Sequence, residues 1–587
     1  VTLTLDFETK PITPADPWPE PVGVAIQNGG RPGRYLAWGH PSGNNTTLEL
    51  ARRELKDQLA GASRVVMFNA PFDVGVARRL DVGMPWAKAE DAQVLAFLAD
   101  PYAKKRDLKT FAHVELGLAP DARDELHAWI KTYVKEAKGR KRLGEFYHLA
   151  PGHLVGKYAR HDTRATHGLF RHWRKRFGGE AYAREMALLP VLDDMTRCGF
   201  PLDAAGLSND APAWAAQLER TDRYLRRLLR GGVDLGKHEK VADAMEKAGL
   251  VTEWIETATG RRSLSYDNLK ILAGEGKASA AFVEAWGYRS VLVHTLRTFV
   301  EPWLAAGDTL HPQWNSVKKD FEGGGFGAVT GRLSSSPNVQ NIINEIPAFR
   351  VPASWLPLPR MRRYVVAPAG GLIVGVDVSQ QEPRILADVV GDPLRQWYID
   401  EPRMDVHQKV SDEIRRVTGR ELTRKAVKIV NLAAIYKNGI ASTAAKIGCS
   451  YDEAAEIRRT HGRVLPGIKQ WERRLASSPT FGTAGGRVYH HDPERPYKSG
   501  NTYVQGSAAD QLKRIMIEAA PRLAHFGARL GLSVHDELVA FAPRNNAVDV
   551  RAVLERVIEE TGTAGGERRM FSVPMLGDSY VRERWQK

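Results

Sequence analysis

Over residues 1–178, short apolar, β-branched runs alternate with stretches of helical periodicity. VTLTLDF and RVVMFNA predict strands and DAQVLAFLAD predicts a buried helix, so this region is expected to be an α/β unit. A basic helix, FRHWRKRFGG at 170–179, lies near its end. From 186 to 310 the apolar positions repeat at helical spacing, in PAWAAQLERTDRYLRRLLR, EKVADAMEKAG and SVLVHTLRTFVEPWL, with few strand signals between them. From 311 the pattern is mixed. A buried strand, GGLIVGVDV (370–378), is followed by helices over 405–478 and by an apolar segment, GLSVHDELVAFAPR (531–544), read as strand. The insertion at 401–480 therefore separates 311–400 from 481–587, and each of these flanking parts carries one acidic strand.

At 587 residues the chain has room for about four domains. Lys and Arg number 84 against 69 Asp and Glu, a net charge of +15. That balance suits a polyanionic partner, nucleic acid first, with a merely basic surface as the alternative. Cys198 and Cys449 stand alone and far apart, which excludes a disulfide framework and a cysteine zinc site. No run of 18 apolar residues occurs, so no membrane helix is expected. The acidic start does not read as a secretory signal, and a soluble cytoplasmic protein is expected.

In LTLDFET, Asp6 and Glu8 are two apart on a strand and project from one face. FNAPFD adds Asp73, and KYARHD adds Tyr158 and Asp162, four apart on one helix face. Four carboxylates brought together repel unless cations hold them, and Mg2+ or Mn2+ matches such oxygen donors. Two ions would activate water against a phosphodiester, with Tyr158 orienting the water. These segments resemble the three motifs of DnaQ-like 3′→5′ proofreading exonucleases. The resemblance implies an RNase H-like domain over 1–178 that hydrolyses single-stranded DNA 3′ ends.

A second cluster joins Asp377, at the end of GGLIVGVDV, to Asp536 and Glu537 of VHDEL. Period-2 alternation sends Asp536 and Glu537 to opposite faces, so only one is expected at the metals with Asp377; an exposed turn is the alternative. In TRKAVKIVNLAAIYKNG, residues Arg424, Lys428, Leu432 and Tyr436 recur every four positions on one helix face. Its two cations suit a triphosphate, and the apolar and aromatic groups suit a base and sugar.

With TGRLSSSPNVQNI, DVH, TAGGR and VQGSAAD, in this order along the chain, the set resembles the family A DNA polymerases of bacteria and phages. The implied fold is multidomain α/β and α+β, with the exonuclease domain followed by a right hand: thumb 186–310, palm 311–400, fingers 401–480, palm 481–587. The resemblance implies two Mg2+ ions per centre, with Mn2+ able to substitute, and assigns the polymerase ions to Asp377, Asp536 and the Val378 carbonyl. Glu537 becomes an auxiliary carboxylate. Arg424, Lys428 and His407 would contact the dNTP, with Lys428 as general acid, and Glu382 would gate the sugar. Arg332, Gln340, Arg487, Gln505 and His535 are assigned to primer-template DNA.

Leu432 departs from the family's Phe or Tyr, and Lys437 replaces its glycine, as a DNA contact or a surface lysine. A monomer acting in phage replication, in host cytoplasm, is expected. Single-subunit RNA polymerases share the Arg, Lys and Tyr pattern, but Glu382 and the exonuclease motifs favour DNA. A non-catalytic DNA-binding protein is disfavoured by the intact carboxylates.

Overall fold

The computed structural model describes residues 1–587 except 14, 15, 120, 121, 258, 322, 323, 344, 345 and 587. Its first sheet comprises β1 (Thr2–Thr9), β2 (Pro21–Asn28), β3 (Arg34–Ala37), β4 (Arg64–Met67) and β5 (Ala89–Asp91), in the order β3-β2-β1-β4-β5. The first three strands are antiparallel, while β4 runs parallel to β1 and β5 parallel to β4. Helices α1 (Ala70–Arg79), α2 (Leu108–Leu116) and α3 (Gly152–Phe177) surround it. Leu3, Leu5 and Phe7 bury one face of β1, and Thr4 on the other meets His167 of α3 at 3.2 Å. A Cβ on Gly156 would lie 2.8 Å from the Tyr35 ring, so glycine is what lets α3 settle against the sheet.

The α/β unit does not stop at 178. In α4 (Glu180–Cys198), Tyr182 and Leu189 pack into the cores beneath the first sheet, whereas Leu188, Leu192 and Met195 belong to the large C-terminal core. One helix thus serves both. The following region is helical as its periodicity predicts, including α5 (Ala204–Leu228) and α6 (Ala280–Thr295), with a separate core around Leu225, Met245, Phe282 and Trp286.

The second sheet is antiparallel throughout, in the order β7-β8-β6-β9, from β6 (Gly371–Val378), β7 (Arg529–Val534), β8 (Glu537–Pro543) and β9 (Gly577–Arg582). Between β6 and β7 come α7 (Gln381–Val390), α8 (Val406–Thr418), α9 (Arg424–Tyr436), α10 (Tyr451–Val464) and α11 (Ser499–His525); α12 (Ala547–Glu560) precedes β9. GLSVHDELVAFAPR is a hairpin, not one strand: His535 and Asp536 form the turn, and His535 has the left-handed φ of 58° that tight hairpin turns use. Period-2 alternation therefore does not govern Asp536.

A buried ion cluster ties α4 to α11. Glu185 accepts from Lys513 Nζ and from Arg487 Nη2, both at 2.7 Å; Asp510 accepts from Arg487 at 2.6 Å and from Arg184 at 2.7 Å. The side chains of Glu185, Asp510, Arg487 and Lys513 are at most 1% exposed. This corrects the assignment of Arg487 to DNA, because its guanidinium is sealed inside and engaged by two carboxylates. The TAGGR and VQGSAAD motifs meet here: Thr483 Oγ1 donates to Asp510 at 2.5 Å.

Candidate active sites

The first acidic centre forms where β1, α1 and α3 converge. Asn69, at a left-handed φ of 79°, starts α1, and the Phe7 N–H donates to Asp73 Oδ1 at 3.1 Å, fastening that carboxylate to β1. Burial pushes Asp6 up to about 7 against the pull of Lys109. Burial and then the charge of Asp6 raise Glu8 and Asp73 well above the usual carboxylate range.

Sequence reading missed Lys109 of α2. Its ammonium pairs with Asp162 and lies 4.2 Å from the centroid of the Tyr158 ring, with 12% of the side chain exposed. It brings one positive charge to the cluster. The available signal was weak: Asp107 caps α2 by accepting from the Thr110 N–H at 3.0 Å, which places Lys109 in the first turn but not its direction.

At the second centre, the sheet register sets Asp377 opposite Glu537 on β8 and Asp578 on β9. The Val378 N–H donates to the Asp536 carbonyl at 3.1 Å, which locks the hairpin turn onto the end of β6. Burial first, then the Asp377 charge, push Asp536 up to about 7, and the two carboxyls are hydrogen-bonded. Glu537 has a different fate. It accepts from Arg362 at 2.7 Å, Tyr580 at 2.6 Å and Trp585 at 3.0 Å. Burial alone would raise it, yet these partners hold it below the usual range. These three contacts brace the hairpin against Arg362, β9 and Trp585. Asp578, unrecognised in the sequence, lines a cleft.

That cleft, of about 880 Å³, brings Asp536 and Asp578 together with His407, Arg424, Lys428, Leu432 and Tyr436. The cleft face of α9 is the four-residue repeat seen in the sequence, while Val427, Val430, Ala433 and Ile435 are buried. Glu382, in the first turn of α7, accepts from Arg332 at 2.5 Å and from the Tyr436 hydroxyl at 2.7 Å. It joins the wall of the cleft to α9. Burial, followed by the Glu382 charge, pushes Tyr436 up to about 12, and Gln505 hydrogen-bonds the same side chain.

Gln340 grips the hairpin, donating to the Ser533 carbonyl at 2.5 Å and accepting from the His535 N–H at 3.3 Å; His535 itself is exposed. Lys437, at a left-handed φ of 57°, follows α9, and its partly exposed ammonium pairs with Glu472. A left-handed backbone is a conformation that glycine adopts without steric cost.

His407 is oriented by a buried relay. His461 Nε2 donates to Asn431 Oδ1 at 2.7 Å, and Asn431 Nδ2 donates to His407 Nδ1 at 2.9 Å. The His407 proton then resides on Nε2. Burial drives both histidines down to about 4. Because a depressed folded value means the unfolded chain takes up the proton first, this stability is complete above about 6.5 and lost as pH falls toward 4. For His461 the expected loss is on the order of 3 kcal/mol. Unfolding titrations of wild type and His461→Gln across that window check this, the variant having the shallower slope.

The fold that builds this cleft matches a polymerase domain over nearly the whole chain. The polymerase domain of Pol1 from M. smegmatis, solved with DNA primer-template and dNTP, superposes with a TM-score of 0.75 at 18% identity, covering 99% of this chain and 95% of that one. The profile of DNA polymerase family A matches residues 212–587, more than half the chain, and the protein belongs to that family. The thermostable DNA polymerase I of Thermus aquaticus is 30% identical over 394 residues, 64% of this chain and 45% of that protein. DNA polymerase I of Pseudomonas aeruginosa is 28% identical over 532 residues, 85% and 54% of the two chains. The DNA polymerase of Mycobacterium phage L5 is 24% identical over 531 residues, 86% and 82%. The chain thus spans about half the length of these bacterial relatives. Among the described residues, no helix is long and apolar enough to cross a membrane.

Proposed function

We propose that the protein extends a DNA primer along a template with dNTPs and trims 3′ ends by hydrolysis at its other acidic centre. One observation carries the polymerase reading: a single cleft sets carboxylates from the sheet opposite Arg424, Lys428 and His407 on two helices. The carboxylates suit cations, and the helices suit a triphosphate.

The donors are hard oxygens, and burial raises Asp6 and Asp536 to about 7, so both centres favour a counter-cation such as Mg2+ or Mn2+. Among the described residues, no three or more His, Cys, Asp or Glu side chains close on one point, so neither centre is a finished cage. Asp377, Asp536 and the Val378 carbonyl would hold the polymerase ions; Asp6, Glu8, Asp73 and Asp162 would hold those of the exonuclease. When bound, such ions supply charge neutralisation on phosphoryl oxygens and an acidified nucleophile.

The remaining work falls to the chain. Arg424 is aimed by Asp405, which accepts from its Nε at 2.5 Å and caps α8 beneath His407. With the His407 Nε2–H and Lys428, it would grip the triphosphate, and Lys428 would protonate the departing pyrophosphate. Glu382, held by Arg332 and Tyr436, would fill the space that a 2′-hydroxyl needs. Leu432 and Tyr436 would take the base and sugar, while Arg332, Gln505 and His535 would meet the primer end. At the other centre Tyr158 would orient water. The likeness to the DNA polymerase of Mycobacterium phage L5 supports a role in phage replication.

Joint replacement Asp6→Ala and Glu8→Ala is expected to leave primer extension within about twofold and to reduce 3′ shortening of a labelled single strand by roughly 10³-fold or more. Undiminished shortening in a purified preparation would remove the exonuclease reading and leave the polymerase reading intact.

A further inference from the structure

The basic helix at 170–179 is used by neither acidic centre. In the structure its cations part company. Arg174 turns inward, donating to the Gly178 carbonyl at 2.8 Å and lying 5.1 Å from the centroid of the Tyr182 ring. Arg171 and Lys175 turn outward and, with Arg164, line a groove of about 480 Å³. Steps of seven and four residues at 100° each keep these three within about 40° on one face of α3. Asp162 is nine residues before Arg171, half a turn away, so the groove opens on the side of α3 opposite the exonuclease centre.

Leu116 and Leu118 contribute apolar lining, Gln27 comes from the end of β2 and Gly30 from the turn after it. Among the described residues, Arg164, Arg171 and Lys175 have no carboxylate partner, and His172, which also lines the groove, pairs with Glu115 at 3.2 Å. Eleven residues of helix separate Arg164 from Lys175, about 16 Å at 1.5 Å per residue. Three unneutralised cations spread over that length match a linear polyanion several units long better than a free phosphate. The apolar lining beside them suits unstacked bases, which a duplex keeps inside.

We infer that this groove binds single-stranded nucleic acid through its phosphates, as a contact separate from both reaction centres. The site does not depend on either proposed reaction. It accounts for cations that ion pairing within the chain leaves unused.

The test compares wild type with Arg164→Glu/Arg171→Glu/Lys175→Glu, and with the milder Gln triple should the reversal not fold, by anisotropy of a labelled 12-nucleotide DNA over a salt series. The expected result is at least tenfold weaker binding and a salt slope shallower by about 2, as loss of three phosphate contacts requires. Thermal unfolding and primer extension at saturating primer-template should be unchanged. A photoreactive oligonucleotide should cross-link within 116–118 or 164–175 in wild type alone. Unchanged affinity and slope would overturn the inference. So would an equal loss for blunt duplex, or displacement of the oligonucleotide by polyglutamate or inorganic phosphate as readily as by unlabelled strand.

Discussion

Asp377→Ala and Asp536→Ala are each expected to abolish primer extension, a loss of roughly 10⁴-fold or more, while the protein stays folded. The two carboxyls are hydrogen-bonded to each other. Asp377 is fixed by strand pairing on both sides, and Asp536 by the backbone bond from Val378. The isosteric Asp536→Asn separates chemistry from folding. Asp536 is raised from its ordinary value of 3.8 to about 7, so its share of stability is present at low pH and lost as pH rises through 7. Measured near pH 8 with a chelator, Asp536→Asn should therefore unfold at a higher temperature than wild type while failing to extend primers. Glu537→Gln should behave in the opposite sense, weakening the fold by leaving Arg362 with a neutral partner. Retained extension by either alanine variant would refute the assignment of the centre.

Asp510→Ala is expected to cost about 3–5 kcal/mol, the usual effect of removing one member of a buried ion pair. Arg487 and Arg184 would remain inside without their shared acceptor, and Thr483 would lose its own. Burial would raise Asp510, but these cations hold it below the ordinary range, so the fold depends on its charge. Urea unfolding should show a lower midpoint. Lys513→Met should be milder, since burial already pushes this ammonium down to about 8. A surface control such as Lys104→Ala should change nothing measurable.

Much of this was legible from spacing. The α9 face repeats every fourth residue, and Asp6 and Glu8 obey strand alternation, so local geometry carries both patterns into the fold. What stayed hidden depends on contacts between distant segments. Arg487 looks like any basic residue beside two glycines until Glu185, 302 positions away, closes on it. Asp578 lies in a short terminal strand, and only the register with β6 brings it beside Asp377. Lys109 had a recognisable helix cap, but not a direction. In VHDE, the error was to extend alternation through residues that turn, because His535 gives no glycine-like warning of its positive φ.

The double allegiance of α4 decides where the chain can be shortened. The family profile begins at 212, and a fragment started there would discard Arg184 and Glu185. Arg487 and Lys513 would then be left in an apolar interior opposite Asp510 alone. A cut between Gly178 and Gly179, just ahead of α4, keeps all the charged members of the cluster, while uncovering Tyr182 and Leu189 on α4, Val317, and the Arg487 face that Phe97 covers. The shortest fragment that keeps its charges paired is thus set by Arg184 and Glu185, some thirty residues upstream of the start of the family profile.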